Sequence, residues 1–364
     1  MLIRVSLITR CCTLLLAGRW LHANNHRMAS LLICLTIVNI PIVCICIGYM
    51  IGSYFMPPAI TFPSPGIIMD MSSMNYSWYN SHNITVEFVG GLGNQMFQYA
   101  SLYGLGKANG LKPLVSEHSL VARTFRALRA RRTNETNAGK LYGFYQERRS
   151  NAFDQRTFSL NFMRNIRLEG FFQSWRYFDH IRSDLRKQYA FRSGAVRLVD
   201  DFLHEALGNF LLSRHDEMPA DGKIDIKFVG VHVRRGDFLD SYNVEKGYTV
   251  ADKVYLSKAI RYYENKYQRV IFIVCTDDLP WSQENLVASK GMIVFSKFQN
   301  RPQLDMCILS KCNHSIITVG TFGWWGAWLA GGETVYYRDY PRADTTLRDN
   351  FRMSDYYLPQ WIAM

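Results

Sequence analysis

Acidic residues are missing from the start of this 364-residue chain, where the first one is Asp70. The same stretch carries four arginines, namely Arg4, Arg10, Arg19 and Arg27. They are followed by 24 residues, 29–52, without a formal charge. A run of that length can cross a bilayer, and the arginines before it favour a cytosolic N-terminus. We therefore predict a cytoplasmic tail at 1–28, a transmembrane signal anchor at 29–52 and a stem at 53–82.

This topology places the rest of the chain in a lumen. A cleaved signal peptide is the competing interpretation of the apolar run. The run is long for a signal peptide, and Tyr54 to Pro58 offers no small-residue cleavage site. Asn-x-Ser/Thr triplets on the predicted lumenal side would accept glycans, and they begin at Asn75, Asn83, Asn134 and Asn313.

Cysteine is scarce after the predicted anchor. Only three of the eight cysteines lie there, at Cys275, Cys307 and Cys312. Three thiols allow at most one intramolecular disulfide, so we expect the folded part to be held by burial. Their redox state stays open at this stage.

The sequence also lacks a recognisable nucleic-acid-binding motif. The net charge is +12, and the four tail arginines account for 4 of it, which leaves +8 after the anchor. The densest basic cluster lies within 123–132, at a spacing that fits a solvated helix face. We expect no nucleic-acid partner.

Short apolar runs that end in glycine or charge predict buried strands of an α/β sheet, whose ligands bind beyond the carboxyl ends of the strands. Four such segments occur. Val86 to Val89 leads to Gly91, Gly93, Asn94 and Gln95. The run 228–233 contains His232 and leads to Arg234, Arg235 and Asp237. The run 271–276 leads to Asp277 and Asp278, and 315–320 leads to Thr321, Phe322 and Gly323.

Each residue type in these turns suits a nucleotide. Two arginines can grip a diphosphate, and glycines at a helix start let backbone N–H groups approach it. Carboxylates such as Asp277 suit the donors of guanine or ribose. Each pattern also has a purely structural explanation. The arginines and aspartates could form an ion-pair cluster, the glycines could form a tight turn, and Asp278 could be a helix N-cap. The tryptophans Trp324 and Trp325 are expected to pack in the core.

Together the four segments resemble the ordered motifs of the galactoside α-1,2-fucosyltransferases, glycosyltransferase family 11. The resemblance covers about residues 84–340. It rests on Gly91-Leu-Gly-Asn-Gln-Met96, Gly170 to Phe178, His232-Val-Arg-Arg-Gly-Asp237, Thr276-Asp-Asp278 and Thr321 to Ala327.

The resemblance implies an α/β fold with two Rossmann-like domains of the glycosyltransferase B type. The N-terminal domain, 83–218, would form the acceptor side, and the C-terminal domain, 219–364, would bind GDP-fucose. The chain itself favours this layout, because strands and helices alternate from Lys227 onward. A loop at Met218–Gly222 marks the predicted boundary.

The implied activity is an inverting transfer of L-fucose from GDP-β-L-fucose to the 2-hydroxyl of a terminal β-galactoside on a glycan. Together with the predicted topology, it implies a single-pass type II Golgi membrane protein. The donor-binding residues would be Gly91, Gly93, Asn94, Gln95, His232, Arg234, Arg235, Asp277, Asp278, Thr321, Phe322 and Gly323.

Arg234 and Asp237 are the expected catalytic residues. Fixed cations can stabilise a leaving diphosphate without a metal, and the Asp-x-Asp pattern of metal-using transferases is absent. No cofactor and no metal are expected. Asp237 is the candidate base and Asp240 the alternate; if Asp237 instead anchors an arginine, the departing phosphate takes the proton.

Two rival functions remain at this stage. The tripeptide Arg235-Gly236-Asp237 could serve adhesion, but it directly follows a buried-type strand instead of a loop tip. A catalytically silent glycan- or nucleotide-sugar-binding membrane protein of the same fold is the other alternative. The sequence leaves the exact acceptor and the oligomeric state open.

Overall fold

The structure is a computed structural model that describes residues 82–134, 142–160, 164–213 and 225–364. The predicted tail and anchor, nearly all of the predicted stem, Asn75 and the loop at Met218–Gly222 lie outside these residues. Within the described ranges, no helix has the length and apolar character to span a bilayer.

The N-terminal half contains a parallel sheet of five strands in the order β3-β2-β1-β5-β4. Its strands are β1 (Asn83–Val86), β2 (Lys112–Ser116), β3 (Arg131–Thr133), β4 (Tyr142–Gln146) and β5 (Asn165–Glu169). Its helices are α1 (Leu92–Asn109), α2 (Leu120–Thr124), α3 (Arg182–Gln188) and α4 (Ser193–Ser213). The chain leaves β1 toward β2 and returns on the other side through β5, so the connections reverse direction between β1 and β5.

The C-terminal half contains a parallel sheet of six strands in the order β11-β10-β9-β6-β7-β8. Its strands are β6 (Lys227–Val233), β7 (Val270–Thr276), β8 (Met292–Phe295), β9 (His314–Ile317), β10 (Thr334–Tyr336) and β11 (Ile362–Ala363). Its helices are α5 (Ser241–Lys246), α6 (Lys253–Lys266), α7 (Leu279–Asn285), α8 (Pro302–Lys311), α9 (Thr321–Ala330), α10 (Thr346–Asp349) and α11 (Met353–Tyr356). Here the reversal falls between β6 and β9, as in a doubly wound sheet.

One predicted strand is misplaced. The apolar pattern predicts a strand over Val86–Val89, but β1 ends at Val86. The reason is a side chain, because Gln98 donates to the carbonyl of Glu87 and accepts from the N–H of Val89 (3.0 and 3.1 Å). The amide thus takes the bonds that a neighbouring strand would have made. Helix α1 then starts at Leu92.

Aromatic packing joins the two halves. The ring of Phe97 on α1 lies 4.6 Å from Trp324 and 5.0 Å from Trp325 on α9, between ring centroids. All three side chains are fully buried, so the tryptophans are core residues as expected. The three cysteines of the second half are also buried, and all are free thiols. Burial of large aromatic surfaces, and no disulfide, holds the described residues together.

The two helices approach most closely at Gly93. A Cβ atom at this position would lie 2.7 Å from the backbone N of Phe322 and 2.7 Å from Oγ1 of Thr321. Glycine therefore sets how near the N-terminus of α1 comes to the N-terminus of α9. The neighbouring Gly91, the N-cap of α1, has open space around its Cβ position.

We expect Gly93→Ala to lower the free energy of unfolding by about 1–3 kcal/mol, the usual cost of overpacking. Gly91→Ala is the matched control, because its methyl group meets nothing within 4 Å and its backbone is extended. It should cost at most about 1 kcal/mol, the scale of an N-cap change. Denaturant unfolding of both variants tests this, and equal stabilities would contradict the contact.

Candidate active site

The carboxyl ends of both sheets open into one cleft of about 1040 Å³. In parallel sheets these ends lie at the same edge, and the loops that start there form the ligand site. The walls come from segments that follow β1, β2, β4, β5, β6, β7, β8, β9 and β10. Both reversal points of the two sheets therefore face the same space.

Two helix N-termini meet at the floor of this cleft. Helix α1 begins after Gly90 and Gly91, and α9 begins after Gly320; within the described part of the chain, no side chain caps either helix. The N–H groups of a first helical turn have no partner within the helix, and they carry partial positive charge. Two such ends side by side form a seat for an anion.

A short chain of polar side chains ties the helix ends together. The hydroxyl of Thr321 donates to Oδ1 of Asn94 (2.7 Å), and Nε2 of Gln173 donates to the same oxygen (3.1 Å). Nδ2 of Asn151 in turn donates to Oε1 of Gln173 (2.7 Å). These bonds run from the loop after β4, through the loop after β5 and α1, to α9, so they connect both halves around the cleft.

Arg234 is held between two carboxylates. Its Nη2 lies 2.5 Å from Oδ1 of Asp237, and its Nη1 lies 2.8 Å from Oδ2 of Asp277. Its backbone N–H donates to the hydroxyl of Thr318 (3.0 Å). A guanidinium has five N–H donors, so Arg234 keeps three for a ligand while its orientation is fixed.

Arg235 faces away from the cleft and supports the loop. Its Nε lies 3.0 Å from Oδ2 of Asp278, and its guanidinium carbon lies 3.7 Å from the centroid of the Trp281 ring. Its backbone N–H donates to Oδ1 of Asp277 (2.8 Å). The side chain of Arg235 thus supports the loop, whereas the family resemblance implied that this residue binds the donor.

His232 lies behind Arg234, almost fully buried. Its ring stacks obliquely on Phe322 at 5.3 Å, and a Cβ atom on Gly323 would lie 2.6 Å from its Nδ1. Burial, reinforced by the nearby Arg234 charge, lowers the pKa of His232 to about 3. The imidazole is therefore neutral at physiological pH, and its Nδ1 has no hydrogen-bond partner among the residues that the structure describes.

The structure brings most of the predicted site residues to the cleft wall. Those lining it are Gly91, Gly93, Asn94, His232, Arg234, Asp237, Asp277, Thr321 and Phe322. Four others stand behind them: Gln95, Arg235, Asp278 and Gly323. Gln95 is buried, and its amide donates to Gly90 and accepts from Leu120 (3.1 and 2.6 Å), so it shapes the glycine turn. Asp278 caps α7 through the N–H of Trp281.

Several cleft residues were not predicted from the sequence. Asn151, Gln173 and Asp305 all line it. Gln173 lies within a segment quoted for the family resemblance, and that was the only available signal for it. Asn151 and Asp305 sit in stretches whose sequence contains no motif.

In the described ranges, no group of three His, Cys, Asp or Glu side chains is arranged to hold a metal ion. Of the predicted glycosylation sites, Asn83 opens β1 and is partly buried. Asn313 is exposed, but its Oδ1 accepts from the N–H of Phe228 (2.9 Å). Asn134 is the last residue before a stretch outside the described ranges.

The chain is similar to known glycosyltransferases. The sequence model of glycosyl transferase family 11 matches residues 66–364. Galactoside alpha-(1,2)-fucosyltransferase 2 of Sus scrofa is 32% identical over 292 residues, which cover 77% of this chain and 79% of that protein. The Bos taurus protein of the same name is 33% identical and covers 77% and 78%. The solved structure of Arabidopsis thaliana FUT1 with GDP is similar at a TM-score of 0.46 and 14% identity, over 74% of this chain and 72% of that one. With the family model covering most of its length, this chain belongs to glycosyl transferase family 11.

Proposed function

We propose that the protein transfers L-fucose from GDP-β-L-fucose to the 2-hydroxyl of a terminal β-galactoside on a glycoprotein or glycolipid glycan. Membership of family 11 and the names of the related enzymes support the reaction class. The observation that carries the proposal is the position of Arg234. Its guanidinium lines a cleft whose floor is formed by two uncapped helix N-termini.

This arrangement suits a diphosphate leaving group. As the bond from fucose to the β-phosphate breaks, negative charge grows on the phosphate oxygens. Oriented N–H groups and a fixed cation stabilise that charge without reorganising during the reaction. The carboxylates of Asp237 and Asp277 keep Arg234 in place for this task. The attack of the acceptor from the opposite side of the sugar would invert its configuration.

The acceptor hydroxyl must lose a proton. Asp237 lines the cleft, and only its Oδ1 is bonded to Arg234. We propose that the free oxygen of Asp237 accepts the proton, although the ion pair also suits the alternative in which Asp237 only anchors Arg234. In that case a phosphate oxygen of the departing GDP takes the proton. His232 is a poor base because its pKa is about 3.

We extend this proposal to the domain architecture and the cellular location of the protein. The two parallel sheets would be the two domains of a glycosyltransferase of the B type, with acceptor contacts from 83–218 and donor contacts from 219–364. A signal anchor at 29–52 would hold the enzyme in the Golgi membrane as a single-pass type II protein. Its catalytic part would then be lumenal.

The proposal is tested with the full-length protein in detergent, supplied with labelled GDP-fucose and a β-galactoside. We expect release of GDP and a product whose fucose is α-linked to O2 of galactose by NMR. Transfer should persist in excess EDTA, since the cation of Arg234 and the helix ends replace a metal. GDP-fucose binding without transfer to any β-galactoside would favour the silent binding protein instead.

The role of Arg234 predicts the kinetics of Arg234→Lys. Lysine keeps the charge but loses the planar fork that reaches two partners and a phosphate. We expect kcat/KM to fall on the order of 100-fold or more with every acceptor, the scale of losing one transition-state stabiliser. Arg338→Lys is the control, because Arg338 pairs with Asp339 at the surface, away from the cleft lining. Near-normal kinetics of a folded Arg234→Lys protein would refute the assignment.

The base assignment predicts a separate signature. Asp237→Asn keeps an oxygen that can accept from Arg234 but removes the basic carboxylate. We expect kcat to fall on the order of 100-fold or more, within the range for general base catalysis, with little change in GDP affinity. Asp240→Asn tests the alternate base: Asp240 is exposed and is not among the described residues that line the cleft, so this variant should keep near-normal activity. If Asp237→Asn retained most of its activity, the proton would pass to the leaving phosphate.

A further inference from the structure

The two carboxylates that the sequence offered for the nucleotide base are already occupied. Asp277 binds Nη1 of Arg234 with one oxygen and the N–H of Arg235 with the other (both 2.8 Å). Asp278 binds Nε of Arg235 with one oxygen and the N–H of Trp281 with the other (3.0 and 3.2 Å). Both residues therefore serve the arginines and α7, and each of their carboxylate oxygens already accepts a hydrogen bond.

A third carboxylate lines the same end of the cleft. Asp305, on the first turn of α8, accepts from the hydroxyl of Ser296 through Oδ1 (2.5 Å). Ser296 is itself fixed, because its backbone N–H continues the pairing of β8 with β7 by donating to Val274 (2.8 Å). The carboxylate is thus held in one orientation.

The second oxygen of Asp305 has no strong donor. No hydrogen bond to Oδ2 is found among the described residues, and the nearby thiol of Cys275, a weak donor, donates to the backbone carbonyl of Asp305 (3.9 Å). Burial raises the pKa of Asp305, so N–H donors from a ligand would favour the charged form of its carboxyl group. Such a group favours a ligand that brings N–H donors.

The surroundings of Asp305 suit a planar ring. Leu279 and Pro280 line the cleft at the start of α7, and Pro302 lines it at the start of α8. These side chains are apolar, and they lie beyond the ends of β7 and β8. The anion seat lies beyond β6 and β9 in the same sheet. With strands about 4.8 Å apart, the two places are roughly 10–14 Å apart, a separation that an extended nucleoside diphosphate can bridge.

We propose that Asp305 reads guanine and so selects the guanine nucleotide of the sugar donor, an inference that rests on the proposed function. The Watson–Crick edge of guanine presents two adjacent donors, N1–H and the 2-amino group. A carboxylate can accept from both at once. Adenine offers an acceptor at N1, and uracil offers a single N–H between two carbonyls, so neither satisfies Asp305.

Free nucleotides test this without any transfer reaction. Calorimetry on the full-length protein should show GDP binding at least about 10-fold more tightly than inosine diphosphate, which lacks the 2-amino group, because that contact is a hydrogen bond to a charged acceptor. Xanthosine diphosphate, with a 2-oxo group facing the carboxylate, should bind more weakly still. Equal affinities for GDP and inosine diphosphate in the unaltered protein would overturn the proposal.

Asp305→Asn should create a new nucleotide preference, which the loss of a purely structural contact could not produce. The amide can keep its oxygen on Ser296 and present its NH₂ group where Oδ2 was. We expect the preference for GDP over inosine diphosphate to fall to about 1, and xanthosine diphosphate to bind better than GDP. Asp277→Asn, the rival reader, should weaken all three nucleotides alike. An unchanged preference in Asp305→Asn, or a changed one in Asp277→Asn, would reject Asp305.

The outcome is separable from the transfer activity. Guanine selectivity that depends on Asp305, without fucose transfer, would leave this inference standing and defeat the proposed function. Fucose transfer by a protein whose guanine selectivity does not depend on Asp305 would support the proposed function and defeat this inference. If Asp305→Asn failed to fold in a thermal melt, the comparison of nucleotides on the unaltered protein would still decide.

Discussion

The contact of α1 with α9 at Gly93 is the constraint on which the rest of the structure depends. It brings two helix N-termini together, one from each sheet, and a side chain larger than hydrogen would separate them. The aromatic cluster of Phe97, Trp324 and Trp325 holds the helices in this position, and Asn94 and Thr321 bond across the same junction. The anion seat is therefore a product of core packing.

The second sheet and much of the site could be predicted from the sequence. Parallel strands covered on both faces are continuous apolar runs, so β6 and β7 were found to within one residue of their observed bounds, Lys227–Val233 and Val270–Thr276. Because strands of such a sheet end at one edge, the polar residues after them had to converge. Arg234 and Thr321, which follow β6 and β9, do meet in the cleft.

The rest depends on contacts that no local pattern encodes. The amide of Gln98 determines where β1 ends, and the sequence of the run Val86–Val89 does not indicate this end. The short strands of the first sheet lack long apolar runs, so little could be assigned between Ser116 and Phe178. The sequence shows that Asp277 and Asp278 follow a strand. It does not show that the arginines bind both of these carboxylates. Nor does it show that Oδ2 of Asp305 has no hydrogen-bond donor among the described residues.

The central claim is that a nucleoside diphosphate is held between Arg234 and the paired helix ends. A crystal structure of the GDP complex tests it most directly. The account predicts diphosphate oxygens within hydrogen-bond distance of the Arg234 guanidinium and of backbone N–H groups in the first turn of α9. A diphosphate bound elsewhere, with Arg234 still closed between Asp237 and Asp277 and touching no ligand, would contradict it.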